Sequence, residues 1–440
     1  MAMSGIYDKI HHGLSKDEAI NILRTPSKQL ASQSDAYMAA AHLINFPGED
    51  TKKALVDLLR SKEDSQAKSI AKRKAVEVIG RLGYKDLIDD IGKCLVSKDT
   101  YLVENAAIAL GDLGCTNEAW IDIIIEMIES GEKSNTRALI QTLSRLKVVR
   151  ALPAISAHLE SEVTSTRGAA ASACITLGGE ESKRIILEDN LLSPNQMDRQ
   201  CAIQDIIDAN ASSLAKSILK TPVSPVFRIR ALRKLTSGVT ESTTTKELLR
   251  DIDSLIVDNP NDVDVVHRYE SRPTNDFLVQ EFFGTDFSRG YLAMKTLLEA
   301  DMHSYVDVLE KRWYGEADND YGANYFILRL ISLTEKWAED KVAWLDTIIS
   351  EAIHNLRPQF SKSRPPAILA RRGREWMERL DELVDITDSE KTVGWECRYA
   401  GVLVAERLGQ VRSTEDILVS ATSDKDPWVA KRARLALDER

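Results

Sequence analysis

No stretch of this 440-residue chain holds eighteen apolar residues in a row, so it offers no candidate for a membrane-spanning helix. The opening residues, MAMSGIYDKIHHGLSKDEAI, lack the apolar run of a secretory leader. Cysteines are few. Cys94, Cys115, Cys174, Cys201 and Cys397 are scattered, odd in number and never paired as CxxC. Neither a disulfide framework nor a zinc site is indicated, and a cytoplasmic, reducing setting is expected. Cys115, Cys174 and Cys201 lie in or beside Ala-rich segments, where a thiol serves as a small hydrophobe. Proline and glycine are scarce, at 12 and 21 residues, which favours helix over a turn-rich β architecture. Positive charge is in deficit too: 58 Lys and Arg against 68 Asp and Glu give a net charge of −10, the wrong sign for a nucleic-acid partner. Two short basic clusters, Lys72-Arg73-Lys74 and Arg371-Arg372-Gly373-Arg374, read as solvated faces, the second open to an anionic group. His11-His12 has no Cys or carboxylate at ligand spacing, and no metal is expected. Gly-rich phosphate loops, HExxH and GxSxG are missing, which leaves nucleotide-driven, zinc-protease and serine-hydrolase chemistry without support.

What the chain does have is a repeat. KRKAVEVIGRLG, VENAAIALGDLG, NTRALIQTLSRLK and TRGAAASACITLG end at Gly83, Gly114, Lys147 and Gly178, spacings of 31, 33 and 31 residues. A period of that length marks stacked helical units. DRQCAIQDIIDAN, ending at Asn210, and FRIRALRKLTSG, ending at Gly238, continue it less regularly. In the Gly114 unit, Val103, Ala106, Ala107, Leu110 and Leu113 form one apolar stripe, and a second helix runs from Trp120 to Met127 and Ile128. Such a hairpin cannot bury its own apolar face, so stacking is required. The pattern returns in CRYAGVLVAERLG and in SDKDPWVAKRARLALDE, where Asp426-Pro427 reads as a helix start. The expected fold is an all-α, curved helical-repeat solenoid (an α-α superhelix) with a concave binding face. Its expected parts are N-terminal repeats over 1–240, a middle section over 241–395 and a C-terminal repeat over 396–440.

The middle section breaks the pattern. Of seven Trp, eleven Tyr and eight Phe in the chain, twelve fall between Tyr269 and Phe326, with Arg, Asp and His among them. A solenoid core is built from Leu, Ala and Ile. A flat conjugated ligand bearing acidic groups would use this mixture instead.

AAIALGDLG, GAAASACITLG and DPWVAKRARLAL resemble the short HEAT-like repeats of the E/F-type phycobiliprotein bilin lyases of cyanobacteria. The chain length resembles that of the single-chain members, the phycoerythrin-specific lyases and lyase-isomerases. The acidic and aromatic segment EKRWYGEADNDYGANYF suits a bilin pocket. The resemblance implies an enzyme with no permanent cofactor. Its substrate would be a linear tetrapyrrole, phycoerythrobilin, and its protein partner a phycobiliprotein, namely a phycoerythrin α subunit. A partner thiol adds to the ring-A ethylidene group and gives a thioether, and isomerisation to phycourobilin is an open extension. The nucleophile then belongs to the partner. The lyase contributes orientation and a proton donor.

Asp318, Asp320 and Tyr321 are the expected catalytic groups, placed to hydrogen-bond pyrrole N–H groups and relay a proton. The competing reading is that Asn319 or Asp320 merely caps the helix that follows. Arg329 interrupts the apolar run FILRLI and needs an acidic partner, either a bilin propionate or an internal carboxylate. Arg268 and Arg272 carry the same two readings, and Arg312 is a stacking or propionate contact or else an exposed helix residue. His267 is an acid–base candidate or a structural histidine. Trp313, Tyr325 and Phe282-Phe283 are candidate bilin contacts, whereas Phe326 and Phe277 are expected in the core. The opposing hypothesis is a non-catalytic HEAT-like scaffold that binds another protein.

Overall fold

A computed structural model describes residues 13–131, 136–236, 245–409 and 411–439, and the described residues are helical without strands. The chain separates into two compact units, Met1–Leu187 and Glu188–Arg440.

The first unit is built on the repeat. Helices α1 (Gln66–Leu82), α2 (Thr100–Leu113), α3 (Thr136–Arg145) and α4 (Thr164–Gly178) pack each against the next. All five residues of the α2 stripe are buried. Asp99 caps α2 by accepting from the Tyr101 and Leu102 amides at 3.1 and 3.2 Å. At the other end Gly114 takes φ +68°, and the Cys115 amide donates to the Leu110 carbonyl at 3.0 Å, closing the helix as left-handed residues do. Positive φ recurs at Gly83, Lys147 and Gly179, and in the second unit at Asn210, so a left-handed backbone position follows the first helix of each of these repeats, whatever its side chain. In the fourth unit that position is Gly179, one residue past the expected Gly178. Small residues let the helices touch: a Cβ on Gly80 would stand 3.0 Å from the Ala109 Cα.

Within the second unit, α5 (Pro225–Leu235) and α6 (Lys246–Val257) precede the aromatic section. That section contains α7 (Asn275–Gln280), α8 (Phe287–Leu298), α9 (Val306–Arg312), α10 (Tyr321–Leu333) and α11 (Arg364–Ala370). Repeat-like helices α12 (Trp395–Arg407) and α13 (Pro427–Asp438) follow. The C-terminal helices return to α5 and α6. Arg432 of α13 binds Asp253 at 3.0 Å, the Tyr399 hydroxyl donates to Asp253 at 2.6 Å, and Arg233 binds Asp426 at 2.6 Å between the rings of Trp395 and Trp428. Segments 241–395 and 396–440 therefore share one core.

Buried arginines stitch the turns of this unit. Arg199 donates to the Ser193 and Pro194 carbonyls, and Arg398 to those of Thr392 and Val393, five and six residues back in each case. Each also meets a carboxylate, Asp286 and Asp424 respectively. In the two basic clusters expected as solvated faces balanced by acids, Arg374 is exposed but Arg371 is not. Arg371 is fully buried, paired with Glu382 at 2.6 Å and with its guanidinium 4.6 Å from the centre of the Trp376 ring, and Arg73 is paired with Asp99.

Helices α8 and α10 pack so closely that a Cβ on Gly290 would lie 2.5 Å from the Phe326 ring. Gly290→Ala is expected to destabilise the protein by about 1–3 kcal/mol through overpacking, despite alanine's better helix propensity. Urea denaturation of variant and parent measures it, and an unchanged midpoint would contradict the close approach.

Candidate functional site

The aromatic section has an inner and an outer face. Inside, α10 buries nine consecutive residues, Ala323–Ile331. Phe326 stacks on Phe282 with ring centres 5.4 Å apart and lies edge-on to Tyr291 and Tyr325. At the bottom of this cluster sits Asp258, which ends α6 in the left-handed conformation at φ +47° and is 1% exposed. Aspartate is one of the few residues that visits this region readily. The Asp258 carboxylate takes Arg228 at 2.6 Å and the Tyr291 hydroxyl at 2.7 Å, and also accepts from the Tyr325 hydroxyl. Arg228 also donates to Tyr291 at 2.5 Å and to the Leu219 carbonyl at 3.0 Å. Burial pushes the Asp258 carboxyl upward. The charges of Arg228 and Arg329 and the two phenol hydrogen bonds outweigh that, leaving it below the usual carboxylate range. Burial in turn raises both phenols.

Arg329 stands above this network. It is 2% exposed, lies 5.5 Å from the centre of the Tyr325 ring and donates from Nη2 to the Ile256 carbonyl at 2.9 Å. Its Nε and Nη1 have no hydrogen-bond partner among the described residues. Its charge is balanced at a distance by Asp258. Trp313 and Tyr325 belong to the same buried core, at 3% exposure each.

The outer face is carried by α7, the start of α10 and a single π-helical turn, Trp313–Ala317, closed by the Asp318 amide donating to the Trp313 carbonyl at 3.2 Å. Widened turns of this kind recur at functional sites. This one buries Trp313 and Ala317 and turns Tyr314 outward. Phe277, Tyr314 and Tyr321 are 45%, 62% and 61% exposed. Arg312 spans Asp276 and Glu316, each at 3.4 Å, with its guanidinium 5.9 Å from the centre of the half-buried Phe283 ring. Phe277 was expected in the core. The short α7 instead turns Leu278 and Val279 inward, leaving Phe277 edge-on to Tyr269 at 6.3 Å.

The sequence-derived residues thus divide. Asp320 caps α10, accepting from the Gly322 and Ala323 amides at 2.9 Å each, while Asp318 and Tyr321 are exposed beside it. The Asp318 carbonyl accepts from Arg357 at 3.2 Å. Arg268 and Arg272 are also exposed, the latter donating to Asn275 at 2.8 Å. His267 is half-buried, with Nε2 3.8 Å from Asp286, and its buried Nδ1 has no partner among the described residues. Trp313, Tyr325 and Arg329 lie in the core, apart from these surface groups. His11 and His12 fall outside the described residues. Sequence reasoning missed Asp258. Its one local signal is the turn-forming Asp258-Asn259-Pro260 after an apolar helix.

Four of the five thiols are disfavoured as nucleophiles by their surroundings. Burial pushes Cys94 and Cys397 up to about 11 and raises Cys115 and Cys174 as well. Among the described residues no helix is long and apolar enough to cross a membrane.

No family model matches the chain. It is 37% identical over 410 residues to the bilin biosynthesis protein CpeY of Synechococcus sp. (strain WH8020), covering 92% of this chain and 98% of that protein. It is 32% identical over 409 residues to the uncharacterized phycocyanin operon protein Y of Pseudanabaena tenuis (strain PCC 7409), covering 92% and 95%. Among solved structures, the CpcE–CpcF complex of phycocyanin lyase from Nostoc sp. PCC7120 is matched at 21% identity with a TM-score of 0.48, over 56% of this chain and 95% of that one. Importin beta is matched at 10% identity with a TM-score of 0.37, over 96% and 62%. Sharing more than a third of its residues with CpeY along almost the full length of both proteins, the chain belongs to the E/F-type phycobiliprotein bilin lyase family.

Proposed function

We propose that this lyase attaches phycoerythrobilin, through a thioether, to a cysteine of a phycoerythrin α subunit, and that the bilin lies on the outer aromatic face. The observation that carries this reading is the exposure of Phe277, Tyr314 and Tyr321, carried by α7, by the π-helical turn that follows Arg312 and by the start of α10, with Arg312 bridging the first two through Asp276 and Glu316. Exposed aromatic rings beside a cation are suited to cover a flat anionic ligand. Arg312, held only by long contacts to exposed carboxylates, is free to exchange them for a propionate.

The acceptor supplies the sulfur, which agrees with thiols in this chain that burial keeps protonated. Its sulfur bonds to the exocyclic ethylidene carbon, the ring carbon takes a proton, and the exocyclic double bond is consumed. Binding both partners turns a bimolecular addition into an oriented one. Asp318, whose carboxylate makes no hydrogen bond among the described residues, is the group that steadies the protonated pyrrole system, with Tyr321 beside it. Asp320 holds the helix start beneath them.

The test is spectroscopic. Free phycoerythrobilin mixed with the protein is expected to show a red-shifted, sharpened visible band. Co-expression with phycoerythrin subunits and a bilin source is expected to yield a labelled α-subunit peptide by mass spectrometry. Its absorption reports whether the double bond has also moved to give phycourobilin. A protein that leaves the bilin spectrum unaltered and yields no labelled peptide is a scaffold, not a lyase.

A further inference from the structure

The segment leading into α11 returns to the loop that carries Asp318. Its short 3-10 helix, Pro358–Ser363, packs against α10. Arg357 stands just before it. Its Nη2 donates to the Asp318 carbonyl at 3.2 Å and its Nε to Asn355 Oδ1 at 3.3 Å. The guanidinium lies 4.3 Å from the centre of the buried Phe360 ring. Arg357 is exposed and makes no ion pair among the described residues, and its Nη1 has no hydrogen bond there.

An exposed guanidinium is hydrated and needs no counter-ion, so the lack of one is not in itself a signal. What distinguishes Arg357 is how it is held. Arg289, Arg374 and Arg379, also exposed in this unit, each meet a carboxylate, from Glu281, Glu378 and Asp346 respectively. Arg357 is fixed by a ring and two neutral oxygens, which restrict its rotamers and leave its charge uncommitted. A cation fixed in advance loses little entropy when it takes an anion. Leu356, exposed next to it, adds apolar surface.

Its place decides which anion. Arg357 is bonded to Asp318, which closes the π-helical turn, and Arg312 immediately precedes that turn. From Arg312 to Asp318 is six residue steps, at most about 9 Å of helical rise. Phycoerythrobilin bears two propionates, on its adjacent central rings, and Arg312 accounts for one of them. A single contact leaves the pigment free to pivot on the aromatic face. A second fixes its register, and with it the place where ring A presents its ethylidene carbon. Arg272 bonds only within its own turn, to the Pro273 carbonyl and Asn275, and is not tied to the Asp318 loop among the described residues. Resting on the proposal that the bilin lies on this face, we infer that Arg357 anchors its second propionate.

The experiment titrates phycoerythrobilin and its dimethyl ester into the parent, Arg357→Gln, Arg357→Lys, Arg312→Gln and the Arg312→Gln/Arg357→Gln double variant, following the visible band. Glutamine can still donate to the Asp318 carbonyl, and thermal melting checks that each variant is folded. Arg357→Gln is expected to bind the free acid roughly 5–20-fold more weakly than the parent and the ester as the parent does. Arg357→Lys should recover part of the affinity, and the double variant should bind acid and ester alike. At saturating bilin the transfer rate of Arg357→Gln should also fall, because the pigment pivots. Parental affinity of Arg357→Gln for the free acid overturns the anchor, and an ester-sensitive loss in Arg312→Gln then leaves the bilin face standing. A loss of equal size for acid and ester also overturns it, since the residue would then act only by holding the loop. A parent that binds no bilin overturns the proposed face itself, and the anchor with it.

Discussion

Asp258→Asn is expected to cost the second unit about 3–5 kcal/mol, enough to unfold it under mild denaturant. The substitution is nearly isosteric, and asparagine accepts the left-handed conformation that residue 258 adopts, so the backbone is not the cause. What is lost is the charge. Arg228 is buried and bound to this carboxylate, and Arg329 is buried with no ion pair among the described residues and acts on Asp258 through its charge. Neutralising residue 258 leaves two guanidiniums and two phenols around an amide that can satisfy only some of them. Urea unfolding of parent and variant measures the loss.

The pH dependence provides a control. The folded carboxyl titrates below its unfolded value of about 3.9. Its contribution is therefore complete above that value and disappears as pH falls through the folded pKa. Parent and variant should differ most at neutral pH and converge in acid. A constant difference from pH 7 to pH 3, or none, would show that the network does not hold the unit together.

This network also shows where sequence reading stops. The repeat was legible because each unit places a left-handed backbone position and a small-residue helix at a spacing of about 32 residues, a local property written in consecutive letters. Asp258 meets Arg228, Tyr291 and Tyr325 from 30, 33 and 67 residues away, and nothing in any of the four segments specifies the others. The concentration of aromatics was visible too, but not their division. Because α10 is buried on every side from Ala323 to Ile331, with Asn324 and Arg329 the only strongly polar residues in the run, its sequence has no clear periodicity to assign a face. Tyr325 and Tyr321 are four residues apart, which would put them on one stripe. Tyr325 lies at the depth of the core, whereas Tyr321 sits on the first turn beyond it and is exposed. Arg329 invited either a propionate or an internal acid as its partner. Its field comes from Asp258, on a helix end that only the packing of α6 against the aromatic section brings near.

The same separation of inner and outer groups makes the acid–base assignment testable one residue at a time. Asp318→Asn is expected to lower the rate of thioether formation by about 10²–10⁴-fold, the usual worth of a positioned proton-handling group. Its carboxylate is exposed and makes no hydrogen bond among the described residues, so folding and thermal stability should not change. Asp320→Asn is the matched control. Asparagine caps a helix as well as aspartate does, so the Gly322 and Ala323 amides keep their acceptor and the transfer rate should stay within a fewfold of the parent. Tyr321→Phe keeps the ring and removes only the hydroxyl, which separates stacking from proton relay. Rates are read at saturating bilin and acceptor from growth of the protein-bound absorption band, with bilin affinity measured alongside. If Asp318→Asn transfers at the parental rate while Asp320→Asn does not, the capping residue carries the chemistry and the assignment to Asp318 is wrong. If both transfer normally, the proton comes from outside this loop, and His267, half-buried beside Asp286, becomes the group to replace next.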